Sequence, residues 1–139
     1  MKEMEIKAVL AGLGVFMFGG WSPVIILLLT FIFIDYLSGL LAAYIEGELS
    51  SKIGSVGIAK KIMICLLVAA ANKLDIAIDS QGMILTATCF FYIANELLSI
   101  IENATRAGLP VPLVLKQGLQ LLKKKGGEVD SSVTSSEKE

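Results

Sequence analysis

Residues 8–34, AVLAGLGVFMFGGWSPVIILLLTFIFI, run for 27 positions without a charge, and after Asp35 ten more uncharged residues, YLSGLLAAYI, precede Glu46. No soluble core helix needs an apolar run of this length, whereas a helix crossing about 30 Å of hydrocarbon takes about 20 apolar residues at about 1.5 Å each. The stretch therefore places the chain in a membrane. The rest of the sequence agrees, with a mean hydropathy of +0.74 and 55% hydrophobic residues. A chain of 139 residues has room for three or four spans and a tail, but not for a soluble catalytic domain as well.

Four apolar segments are legible, at about 4–20, 23–45, 58–78 and 82–102. The first is short and glycine-rich and starts behind Lys2 and Lys7; it resembles a signal peptide, but no A-x-A-like cleavage site follows, and Trp21-Ser22-Pro23 reads as a turn with an interfacial aromatic. The second is the strongest, with Pro23 suited to a first helical turn. The third and fourth are separated by a brief link containing Asp75, Asp79, Ser80 and Gln81, the pattern of a helical hairpin. After Arg106 the stretch Gly108-Leu109-Pro110-Val111-Pro112 breaks the helix. LVLKQGLQLLKKK then reads as an interfacial amphipathic helix or a solvated connector. From Gly126 the chain has little to bury and is expected to be disordered. The expected organisation is an all-α integral membrane protein: a transmembrane domain over 1–106, a proline-containing linker and amphipathic basic segment over 107–125, and a disordered tail over 126–139.

Histidine is absent, and Cys65 and Cys89 lie in the middle of apolar segments. Imidazole chemistry, a metal centre and a disulfide framework are therefore not indicated, and no catalytic, cofactor-binding or metal-ligating residue is assigned. The chain is not read as an enzyme or as a nucleic-acid binder. Orientation follows from the basic residues. The loop from Glu46 to Lys61 carries Lys52, Lys60 and Lys61, and the segment after the fourth span carries Arg106, Lys116 and Lys123–Lys125, whereas the turns near Ser22 and Ser80 carry none. By the positive-inside rule both termini are expected in the cytoplasm, with Lys73 snorkelling at the outer end.

Any mechanism then rests on polar groups within the spans. Asp35 falls mid-helix, where an acid costs about 2.5 to 3.5 kcal/mol on insertion scales. Ser38 and Gly39, with Ala42 and Ala43 four positions on, form small-xxx-small patterns that allow close helix approach. Asn95, Glu96, Ser99 and Asn103 make a second polar stripe at helical spacing. Two readings are open. Asp35 and Glu96 are either hydrogen-bonded inside one protomer, with Lys60, Lys61, Ser or Asn partners, or they line a subunit interface or an aqueous lesion together with Ser38, Gly39, Ala42, Ala43, Asn95 and Ser99.

Three separated pieces carry a family resemblance: Asp35-Tyr36-Leu37-Ser38-Gly39; Leu49-Ser50-Ser51-Lys52-Ile53-Gly54 with Gly57 and Lys60-Lys61; and FFYIANELLSIIENATRAGLPVPLVLKQGL from Phe90 to Leu119. Together they resemble the phage holin and toxin-secretion (clostridial cytolytic) holin family over about residues 24–125. Ser51, Lys52, Gly54, Gly57, Gly108, Pro110 and Pro112 count as motif positions rather than site residues. The resemblance implies a protein of the bacterial cytoplasmic membrane that associates with itself and, at a set time, opens lesions through which an endolysin or a large toxin leaves. Its partners would be other copies of itself, membrane lipids and, functionally, that endolysin or toxin; no cofactor is implied. A small oligomeric ion or proton-coupled channel or transporter is the rival reading. An antiholin regulator is a third, since Met1 and Met4 offer two starts.

Overall fold

The computed structural model describes the backbone of residues 1–136 and the side chains of residues 1–126. Five helices follow one another: α1 (Lys2–Phe18), α2 (Pro23–Ile45), α3 (Ser51–Ile78), α4 (Met83–Arg106) and α5 (Leu113–Ser136). No strand occurs among the described residues, and α2, α3 and α4 are each long and apolar enough to cross a membrane. The turns 19–22 and 79–82 mark one end of the bundle, here the upper end; 47–50 and 107–112 mark the lower.

Local chemistry sets most boundaries. Pro23 sits in the first turn of α2, where its missing N–H costs nothing, and Gly47, with φ 73°, turns the chain just beyond that helix. The third helix begins earlier than the sequence reading places it, at Ser51 rather than about residue 58. Ser50 is the reason: it is extended, and its Oγ accepts the Ile53 N–H at 3.2 Å, capping the new end. Lys52, Lys60 and Lys61 consequently lie on a helix and not in a loop. The fourth helix likewise continues past residue 102 to Arg106.

Asp75, read as part of the link, lies inside α3. It is buried, and its carboxylate accepts the N–H groups of Ile84 (3.1 Å) and Leu85 (2.6 Å) and the Ser80 hydroxyl. It thus satisfies the exposed first-turn donors of α4 from the end of the preceding helix. At the same end Asn72 donates to the Met17 carbonyl at 3.2 Å, and Lys73 donates to the Phe16 carbonyl at 2.6 Å with its Nζ 4.4 Å from the Phe16 ring centre. Lys73 therefore places its charge on the C-terminal carbonyls of α1, where a cation is favoured.

The core divides by height. In the upper half Phe18, Ile25, Leu28, Ile32, Val68, Cys89 and Ile93 form one apolar cluster. On the other side of α4, Ala94, Leu97 and Ile101 pack with Leu119 of α5. The basic segment is helical, and α5 folds back along α4 until Lys125 Nζ stands 5.2 Å from the Phe90 ring centre. Its Leu119 and Leu122 pack against the core clusters that include α4. The expected disordered tail, 126–139, lies beyond its first residue outside the described side chains; the backbone is helical to Ser136.

Removing the Asp75 carboxylate strands two part-buried backbone donors, where a fully buried one costs about 1 to 3 kcal/mol when left unsatisfied. Asp75→Ala is expected to lower stability by about 2 kcal/mol or more in a detergent unfolding titration, with Asp75→Asn losing less. An unchanged Asp75→Ala midpoint would show that the cap contributes nothing.

Candidate functional site

The lower half of the bundle contains the charged groups that the three spanning helices bring together. Asp35 is the thirteenth residue of α2, Lys61 the eleventh of α3 and Glu96 the fourteenth of α4, so three helices deliver one charge each at similar depth. The Lys61 ammonium bridges the Asp35 Oδ2 and Glu96 Oε2 atoms, the latter at 2.5 Å. Asp35 and Glu96 are buried, and Lys61 is largely so. Two carboxylates against one ammonium leave a formal charge of −1 inside the bundle.

Asn103, on the same face of α4 further down, extends the network. Its Nδ2 donates to Asp35 Oδ1 at 2.9 Å, to the Asp35 carbonyl at 3.3 Å and to Ser38 Oγ at 3.0 Å, while Ser38 Oγ donates to the Asp35 carbonyl at 3.1 Å. Arg106 in turn donates to Asn103 Oδ1 at 3.4 Å and to both Glu46 carboxylate oxygens, the shortest contact being 2.5 Å. An unbroken polar chain therefore runs from Glu46 at the lower end to Glu96 in mid-helix.

Beside this chain lies an open cleft of about 780 Å³ between α2, α3 and α4. Its floor holds Asp35, Lys61 and Glu96, and Ser99, Glu102, Asn103, Lys52 and Lys60 also line it. Tyr36 forms part of the wall, and the two glycines of α3 face it. A Cβ on Gly57 would stand 3.3 Å from the Tyr36 ring, and one on Gly54 3.4 Å from its hydroxyl. Glycine inside a helix costs about 1 kcal/mol relative to alanine; here it leaves room for an aromatic side chain.

Of the sequence-selected residues, Asp35, Ser38, Glu96 and, through the cleft lining, Ser99 come together. Gly39 faces Asn103, where an added Cβ would stand 3.5 Å from the amide nitrogen, and Ala42 and Ala43 are buried. These small residues thus serve close packing within the protomer. Asn95 is half-buried and outside the hydrogen-bonded chain. Ser51 opens α3, Gly108 adopts φ 83° after α4, and Pro110 and Pro112 lie in the connector to α5. Lys61 is legible in the sequence only as one optional partner among several, and Tyr36 only as a member of the motif piece Asp35-Tyr36-Leu37-Ser38-Gly39. The seven-residue spacing of Glu96 and Asn103, two helical turns, does mark their shared face.

The sequence matches the bacteriophage holin family over residues 12–124, most of the chain. The chain belongs to that family. Among its relatives, an uncharacterized protein of Halalkalibacterium halodurans is 44% identical over 121 residues, covering 84% of this chain and 90% of that one. One of Listeria monocytogenes is 44% identical over 129 residues, covering 91% and 92%. A protein of Bacillus phage phi105 named a probable holin is 36% identical over 96 residues, covering 69% and 71%. No solved structure matches. Holin-family membership implies residence in a membrane and self-association, and it points to a non-enzymatic protein.

Breaking a buried ion pair by removing one partner costs about 3 to 5 kcal/mol, whereas replacing the whole set by apolar residues is often neutral. Lys61→Met is accordingly expected to destabilise the fold by about that amount in detergent unfolding. The triple variant Asp35→Leu, Lys61→Met, Glu96→Leu should recover most of the loss; equal instability of the two would overturn the bridging role.

The Arg106 guanidinium beside Glu46 holds that exposed carboxyl below its usual range, chiefly through their hydrogen bond. A depressed folded value stabilises above the ordinary glutamate pKa, and this contribution is lost as pH falls through the folded value. Hydrogen exchange at Ala107 and Gly108 should therefore quicken on acidification below the usual glutamate range. Glu46→Gln should quicken it at neutral pH and flatten the pH dependence; a wild-type profile in that variant would remove the tie.

Proposed function

We propose that this protein accumulates in the bacterial cytoplasmic membrane, associates with itself and, past a critical density, opens lesions through which an endolysin or a large toxin leaves. The observation that carries this reading is the charged floor between α2, α3 and α4, in a chain whose remaining outer surface is largely apolar. In a single copy these polar groups satisfy one another. α3 packs lightly on α2, whereas α2 packs heavily on α4, so α3 is the helix whose departure opens the floor. Water or a neighbouring copy then replaces the internal partners, and the charged surface becomes a wall of the lesion.

The C-terminal helix fits the same scheme. Lys116 and Lys123–Lys125 are costly at hydrocarbon depth and favoured beside anionic headgroups. In a bilayer α5 therefore leaves α4 for the interface, uncovering Ala94, Leu97 and Ile101 for contact with a second copy. Close packing and polar contacts are what drive helix association in lipid, and both rise with concentration.

The lower end, with Lys52, Lys60, Arg106 and Lys116, is read as cytoplasmic, and the lysine-free turns 19–22 and 79–82 as external. With α1 crossing as a fourth span, both termini are inside. At 17 residues α1 is about 25 Å long, which crosses only a thinned bilayer. In a chain lacking Cys65 and Cys89, Ser80→Cys should react with an impermeant thiol reagent in intact cells, while Ser55→Cys and Ser132→Cys should not. Labelling of Ser132→Cys but not Ser80→Cys would invert the orientation, and failure of Ser22→Cys to label would make α1 an interfacial helix.

Two carboxylates sharing one ammonium also favour a second reading, a small cation or proton channel, and cargo size separates the two. Induced together with a cytoplasmic endolysin, the chain should halt growth abruptly after a delay, release a folded cytoplasmic reporter and lyse the culture. Loss of potential without escape of folded protein would select the channel. Asp35→Leu leaves Lys61 paired with Glu96 and removes an insertion penalty; it should accumulate at least as well as the parent chain while shifting or abolishing lysis. Wild-type timing in that variant would remove Asp35 from the mechanism.

A further inference from the structure

The cleft carries two lysines, Lys52 and Lys60, that stand outside every ion pair among the described residues. Lys52 and Lys60 are eight residues apart on α3, so they share a helix face, and both line the cleft. Among the described residues neither enters an ion pair: Lys61 takes Asp35 and Glu96, and Arg106 takes Glu46. Glu102 is the one lining carboxylate outside those pairs. Leu40 of α2 and Ile53 of α3 supply apolar lining.

The length of α3 fixes the level of these two lysines. Its 28 residues span about 42 Å, about 12 Å more than the hydrocarbon of a typical bilayer. The excess falls at the lower end if the apolar stretch Ile62–Ala71 is centred in lipid. Lys52 then stands in the headgroup layer, and Lys60 reaches it from just inside by extending its stem. The free N–H groups of the first turn of α3, behind the Ser50 cap, add partial positive charge at the same place.

We propose that the cleft binds the headgroup of one anionic phospholipid of the surrounding leaflet. Lys52 and Lys60 contact the phosphodiester oxygens, and the first acyl carbons lie against Leu40 and Ile53. The volume of about 780 Å³ admits a phosphoglycerol headgroup. A zwitterionic lipid carries no net charge for the two lysines to attract and is disfavoured. The bound lipid bridges α3 to the α2 wall where the helices themselves touch lightly, so it braces the closed arrangement. This bracing rests on the lesion reading; the binding site does not.

The test is lipid retention by the full-length protein in mild detergent, measured by native mass spectrometry after exposure to mixed phosphatidylglycerol and phosphatidylcholine. One phosphatidylglycerol should be kept per protomer in preference to phosphatidylcholine. A basic residue at an anionic surface contributes about 1 kcal/mol, about fivefold in affinity, so Lys52→Gln and Lys60→Gln should each weaken retention about fivefold. The double variant should not discriminate between the lipids, and arginine at both positions should restore selectivity. Lys2→Gln with Lys7→Gln, which removes the same charge elsewhere, should retain the lipid as the parent chain does. Undiminished selectivity in the double glutamine variant, or equal loss in the Lys2/Lys7 control, would overturn the proposal. So would displacement of the lipid by millimolar inorganic phosphate, which would mark a free-anion site. Because the readout is binding, failure here leaves the lysis assay untouched.

Discussion

One ammonium group holds the lower half of this bundle together. Lys61 reaches from α3 to a carboxylate on α2 and another on α4, and no other side chain joins all three long helices through charge among the described residues. Each of these groups alone would cost about 2.5 to 3.5 kcal/mol at the centre of a spanning helix. Placed at matching depths they cancel much of that cost, provided that the three helices keep register. The depth of Asp35, Lys61 and Glu96 is therefore a constraint on the relative height of α2, α3 and α4, and the turns must comply with it.

The turns do comply, through short-range chemistry. Ser50 starts α3 two turns before its apolar stretch, which brings Lys61 level with Asp35. At the opposite end the buried Asp75 ties the first turn of α4 to the last turns of α3, which fixes Glu96 against Lys61. Gly54 and Gly57 let α3 approach Tyr36, so the ammonium can reach across. The result is a bundle with an apolar cluster of Ile25, Leu28, Val68, Cys89 and Ile93 in its upper half and an open, charge-lined cleft in its lower half.

Apolar runs, Pro23, the helix-breaking Pro110 and Pro112, and the segregation of lysines are enough to specify a helical membrane protein, its order of helices and, with the motif pieces, its family. These features are local or compositional, and a bilayer reads them one segment at a time. The cost of Asp35 and Glu96 in lipid also marks them as residues needing a partner. What the sequence does not decide is which partner, because that depends on the relative height of separate helices. Lys61 reads as a loop charge until Ser50 is seen to cap the helix, Asp75 reads as a turn residue until its carboxylate is seen on the first N–H groups of α4, and Leu119 reads as an interfacial residue until it packs with Ala94, Leu97 and Ile101. The two open readings of the intramembrane acids differ in this respect, and the tertiary structure brings the acids together on one lysine within the protomer, since electrostatics in a low-dielectric medium leaves an unpaired buried charge no inexpensive place.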